Sequence, residues 1–123
     1  MVRTSPKFRS RREDEYWISE KIYVREDMNH PDFKDASLAT CRLPVGGKTK
    51  LHSLNVDEVY MIKIGTGMMR KGDSPAFKVS PGDNIFIARG DAQNIENIGA
   101  EDLIFQTLCL PRFDENGYTA LED

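Results

Sequence analysis

The chain has 123 residues, 30% of them charged and 39% hydrophobic, with a formal net charge of −3. That length suits one independently folding domain, and the composition is that of an ordinary globular protein. The slight negative charge excludes a basic field for nucleic acid or an anionic membrane surface, and no apolar run reaches the length of a membrane-spanning helix.

Residues 1–14 are polar, with five Lys and Arg side chains followed by acids. They read as a mobile, solvated arm ahead of one domain over 15–123. The arm has no apolar stretch, so it does not read as a secretory signal, and the cytoplasm is the expected compartment. From Tyr16, "YWISEKIYVRED" turns β-like, and it could add a strand to a second copy of the chain. "NHPDFKD" reads as a loop, with His30 as a loop residue. "ASLATCRLPVGG" predicts a strand stopped by Pro44, Gly46 and Gly47. Further strands are predicted in "VYMIKIGTG", "AFKVSPGD", "NIFIARGD", "AQNIENIGAED" and "LIFQTLCLP". The tail "RFDENGYTALED" has room for a helical turn. Short strands with Pro and Gly turns between them argue for an all-β sandwich or barrel, and a closed barrel removes the sheet edges. Cys41 and Cys109 each sit inside an apolar strand pattern, which predicts buried free thiols.

Two spaced motifs carry more information. Gly46 is followed after five residues by His52, then by Leu54, Glu58 and Gly65. Gly82 is followed after five residues by Ala88, then by Gly90, Gln93 and Asn97. This spacing, over 46–65 and 82–97, resembles the cupins, whose motifs read G-x5-H-x-H-x3-E-x6-G and G-x5-P-x-G-x2-H-x3-N. Three positions depart from that pattern: Leu54 and Gln93 stand where the family has metal-binding histidines, and Ala88 replaces the proline. The wider chain, through "EKIYVRED" and "CLPRFDENGY", resembles small stand-alone cupins of the phosphomannose-isomerase-like group. The resemblance implies an all-β, single-domain jelly-roll barrel, a small-molecule ligand inside it and a homodimer.

Residues i and i+2 of a strand share a face. In the family's register His52, Leu54, Glu58 and Gln93 would all point into the barrel, with Tyr60, Ile62 and Ile95 on the same faces. Two chemistries follow. In one, His52, Glu58 and Gln93 form a reduced ligand set for a divalent ion (Mn, Fe, Ni or Zn) in an oxygenase-like enzyme. In the other the site is metal-free. His52 and Glu58 then form a hydrogen-bonded pair that moves protons on a bound substrate, with Tyr60 as a hydroxyl donor and Gln93, Leu54, Ile62 and Ile95 as pocket wall. The second supports an isomerase or lyase. A ligand sensor or interaction module without catalysis is the third reading. Asp57, beside Glu58, is expected to point outward. Of Thr107 and Cys109 against Leu108, one set faces the pocket, and the sequence leaves open which.

Overall fold

A computed structural model describes residues 7–122. Of the expected arm, residues 1–6 lie outside the described residues, and Arg12–Asp14 forms a single 3-10 turn. Eleven strands follow in chain order: β1 (Tyr16–Ile18), β2 (Ile22–His30), β3 (Phe33–Leu43), β4 (His52–Leu54), β5 (Asp57–Ile64), β6 (Gly67–Lys71), β7 (Phe77–Val79), β8 (Asn84–Ile87), β9 (Gln93–Asn97), β10 (Leu103–Leu110) and β11 (Tyr118–Ala120). They form two antiparallel sheets, ordered β1-β2-β3-β10-β5-β8 and β11-β4-β9-β6-β7. The expected all-β jelly-roll barrel is the architecture observed. No helix among the described residues is long and apolar enough to cross a membrane.

Period-two patterning builds the interior. Along β5, Glu58, Tyr60 and Ile62 are buried while Asp57, Val59 and Met61 are not. Along β10, Leu103, Phe105, Thr107 and Cys109 are buried while the residues between them are not. Leu43, Ile62, Met69, Ile87, Ile95 and Leu103 meet in one sealed apolar cluster. The motif glycines serve the turns: Gly65 has φ +91°, and a Cβ there would lie 2.9 Å from the Asp102 carbonyl oxygen. Asn97 is a staple, since its amide donates to the Leu43 and Glu101 carbonyls at 2.9 and 2.8 Å.

One expectation is corrected. "NHPDFKD" is not a loop; β2 and β3 pair as far as His30↔Phe33, leaving Pro31 and Asp32 as the turn. Continued cross-strand pairing overrides the weak strand propensity of Asn, His and Asp. The β-like "YWISEKIYV" is a hairpin that folds back on itself, with Tyr16 opposite Val24 and Ile18 opposite Ile22. Its turn spans Ser19, Glu20 and Lys21; Lys21 has φ 72°, and its N–H donates to the Ile18 carbonyl at 2.9 Å. This is the three-residue hairpin loop that ends in a left-handed residue. The tip is tied down, because the Lys50 N–H donates to the Glu20 carbonyl at 3.1 Å.

Candidate functional site

His52 and Gln93 are cross-strand partners on one sheet, and Glu58 and Cys109 are partners on the other. The two sheets enclose a cavity of about 780 Å³ lined by, among others, Glu20, His52, Leu54, Glu58, Tyr60 and Cys109. Thr107 also lines it, so the Thr107–Cys109 set faces inward and Leu108 does not. Ile62 and Ile95 face the same interior one step deeper, inside the sealed cluster rather than in the cavity wall. Gln93 is buried behind the wall, 1% exposed, and reaches the site through its neighbours. Asp57 points outward and pairs with Arg89 at 3.3 Å. His30 accepts from the Asp32 N–H in the β2–β3 turn and takes no part in the cavity.

The expected His52–Glu58 pair is not formed. His52 Nε2 lies 3.1 Å from Oε1 of Glu20, which the hairpin tip carries into the barrel. His52 Nδ1 lies 2.8 Å from the Lys50 carbonyl oxygen. A carbonyl only accepts, so Nδ1 holds a hydrogen and one proton is shared between Nε2 and Glu20. Burial raises the Glu20 carboxyl to about 8, and the charge of Glu58 adds to the rise. Burial also lowers the His52 imidazole, against the Lys50 carbonyl, which favours the charged ring. Both directions place the shared proton on Glu20 and leave the pair neutral. The His52 ring is stacked on Tyr118 at 5.1 Å. Sequence reasoning did not find Glu20. Strand parity does not mark it, because it lies in the turn between β1 and β2 rather than on a strand.

Glu58 stands apart from that pair. It is 5% exposed, and its Oε1 has no hydrogen-bond partner among the described residues. The Cys109 thiol lies 4.0 Å from Oε2. Burial raises the Glu58 carboxyl to about 7, with the Gln93 amide opposing the rise. The Tyr60 hydroxyl donates to Gln93 Oε1 at 2.5 Å. That bond orients the amide, turning its oxygen to Tyr60 and its NH2 end toward Glu58. Burial, then Glu58, holds the Tyr60 hydroxyl well above its usual range, so it stays a donor. The cysteines are free and buried as expected, and burial followed by Glu58 pushes the Cys109 thiol to about 12.

The donor set does not fit the divalent ion that His52, Glu58 and Gln93 were expected to hold. His52 Nε2 faces Glu20, the Gln93 oxygen is taken by Tyr60, and Leu54 offers no donor atom. Among the described residues, no group of three or more His, Cys, Asp or Glu side chains converges to hold a metal ion.

No protein-family model matches the chain. An uncharacterized protein of Methanocaldococcus jannaschii is 32% identical over 110 residues, which cover 86% of this chain and 87% of that one. Among solved structures, the oxalate decarboxylase of Bacillus subtilis superposes with a TM-score of 0.81 at 20% identity, over 98% of this chain and 33% of that one. This chain therefore spans about a third of the Bacillus enzyme. A cupin-like protein of Thermotoga maritima gives a TM-score of 0.68 at 14% identity, over 89% of this chain and 81% of that one. These neighbours support the barrel and not the phosphomannose-isomerase-like subgroup.

Proposed function

We propose that this chain, in one family with the Methanocaldococcus jannaschii protein and with the barrel fold of the cupins, binds a small molecule in its barrel and moves a proton on it with Glu58. The observation that carries this reading is Glu58, a buried carboxyl that lines a cavity of about 780 Å³ and whose Oε1 has no hydrogen-bond partner among the described residues. A buried carboxylate oxygen without a donor costs stability, which favours the protonated, neutral carboxyl. With its carboxyl held at about 7, Glu58 is present in both protonation states near neutral pH, as a group that takes a proton and returns it must be. Glu20 and His52 would then serve the substrate as a neutral hydrogen-bonding pair, and Gln93, fixed by Tyr60, would hold Glu58 in place. Isomerisation next to a carbonyl, or elimination, fits this arrangement.

The barrel is shared with oxalate decarboxylases, but oxalate itself is not the substrate we favour. A dicarboxylate entering beside Glu20 and Glu58 would meet no lysine or arginine paired to either, among the described residues, to balance its charge.

Deuterium exchange tests the proposal. The protein is incubated in D2O with a panel of aldoses, ketoses, amino sugars and 2-oxo acids, and proton NMR follows the signal next to each carbonyl. We expect protein-dependent loss of that signal for at least one compound, slowed about 100-fold or more by Glu58→Gln. No exchange across the panel, or equal exchange by the variant, contradicts the acid–base role.

A further inference from the structure

Arg112 lies just past the end of β10, and among the described residues it is the one lysine or arginine that lines the cavity. Three described arginines are half-buried: Arg25, Arg42 and Arg112. Arg25 pairs with Asp27 at 2.7 Å, and Arg42 pairs with Glu15 and Asp102 at 2.6 and 3.2 Å. Arg112 differs. Its Nε donates to Asn29 Oδ1 at 2.7 Å, and among the described residues no carboxylate meets the guanidinium. The N–H groups of Nη1 and Nη2 are left without an acceptor there. A cation withdrawn from water costs free energy unless a partner meets it.

The side chain is also held in place. The Arg112 N–H donates to the Lys34 carbonyl at 3.0 Å and the Phe113 N–H to Ser37 Oγ at 2.8 Å, which fastens this segment to β3. Asn29 is fixed in turn, since its amide donates to the Phe113 carbonyl at 3.0 Å and to Glu26 Oε1 at 3.3 Å. A guanidinium held through Nε presents its two terminal nitrogens as a fork that matches a carboxylate. The acids nearby are occupied otherwise. Glu26 accepts from Asn29, and Asp114 Oδ1 accepts from the Asn116 N–H at 2.9 Å. Glu26, Asp114 and Glu115 are exposed to water, where their repulsion of an anion is screened.

Glu58 sets what the rest of the ligand must be. Its cross-strand partner is Cys109, and Arg112 follows Cys109 by three residues, or about 10 Å of extended backbone. A small molecule can therefore span from one side chain to the other. No lysine or arginine is paired to Glu20 or Glu58 among the described residues, so a second anionic group there would go unbalanced.

We propose that Arg112 is the carboxylate-binding residue of the cavity, and that the ligand is a small organic acid with one carboxylate on Arg112 and an uncharged carbonyl end toward Glu58. The inference rests on the proposed function and deepens it by naming the substrate class.

Straight-chain 2-oxo acids of three to six carbons test it on the full chain. Each is compared with the uncharged methyl ketone of the same alkyl group, by ligand-observed NMR or calorimetry. At least one acid is expected to saturate and to bind about tenfold or more tighter than its ketone. Arg112→Gln is expected to erase that preference and leave ketone binding unchanged. Arg112→Lys keeps the charge, loses the fork and is expected to retain part of the preference. Should neither variant fold, the wild-type ranking decides alone. Ketones bound as tightly as the acids, or no saturable acid at millimolar concentration, overturns the proposal. So does a preference that survives in folded Arg112→Gln, whatever that variant loses in stability. A preference that Arg112→Gln removes, with no proton exchange on any compound, would leave this site standing and remove the acid–base role of Glu58. Glu58-dependent exchange on sugars with no preference for acids would do the reverse.

Discussion

The two halves of the barrel interior are made by the same strands and behave oppositely. On β5, Glu58 and Tyr60 line the cavity, and two residues further Ile62 enters the sealed cluster. β9 passes from Gln93 to Ile95, and β10 runs from Leu103 and Phe105 to Thr107 and Cys109. The inward-outward alternation runs from one half into the other along these strands, and side-chain chemistry distinguishes the halves. The apolar half fills its space and supplies hydrophobic stabilisation. The polar half keeps its space open and holds carboxyl groups in forms they would not prefer in water. A half-buried polar cluster of this kind is tolerated because the neighbouring half offsets its cost.

The comparison can be broken first by cavity-making. Ile95→Ala in the sealed half is expected to cost about 2–5 kcal/mol. Leu54→Ala, whose side chain already borders open space, is expected at or below the low end of that range. Urea denaturation midpoints measure both, and equal losses would mean that the halves are packed alike.

The next effect comes from pH. Glu58 has a folded-state value of about 7 against an ordinary 4.5, so the folded chain binds this proton more tightly than the unfolded one. Its contribution to stability is therefore complete below 4.5 and is lost as pH rises through 7. Glu58→Gln removes that slope. The variant is expected to match wild type near pH 4 and to exceed it by roughly 3 kcal/mol at pH 8, since a tenfold change in proton affinity is worth about 1.4 kcal/mol. Denaturation of both proteins across that range reads the difference; parallel curves would mean that Glu58 is not held protonated.

Tyr60→Phe is smaller. It leaves the buried Gln93 oxygen without its donor, at an expected cost of about 1–3 kcal/mol by the same denaturation assay. The smallest effect is expected for Glu20→Gln near pH 4, below about 1 kcal/mol, because the carboxyl is then protonated folded and unfolded and an amide resembles it in size and neutrality. A thermal-unfolding loss several times larger would put the shared proton on His52 and make the pair an ion pair.

Much of this was legible in the sequence for a simple reason. His52, Leu54, Glu58 and Tyr60 are related by period-two spacing within or across one tight turn, and the motif glycines mark where the turns must be. Asp57 could be assigned outward by parity alone. Glu20 could not be found that way. It lies in the charge-rich "SEKI", and its partner is 32 residues later on the other sheet, joined only when the hairpin closes over the barrel. The His52–Glu58 pairing failed for the same cause: strand parity gives the face a residue points to, but barrel curvature sets which inward residues meet. The "NHPDFKD" stretch was misread because its strand character comes from pairing along β2 and β3 rather than from its own residues.

The central claim is that Glu58 holds a proton near neutral pH in the cavity wall. Carbon-13 NMR of protein labelled at glutamate side-chain carboxyls tests it directly by titration from pH 3 to pH 9. The account predicts one carboxyl titrating at about 7 that disappears in Glu58→Gln. A spectrum in which the resonance removed by that substitution titrates at the ordinary value of 4.5 would contradict it.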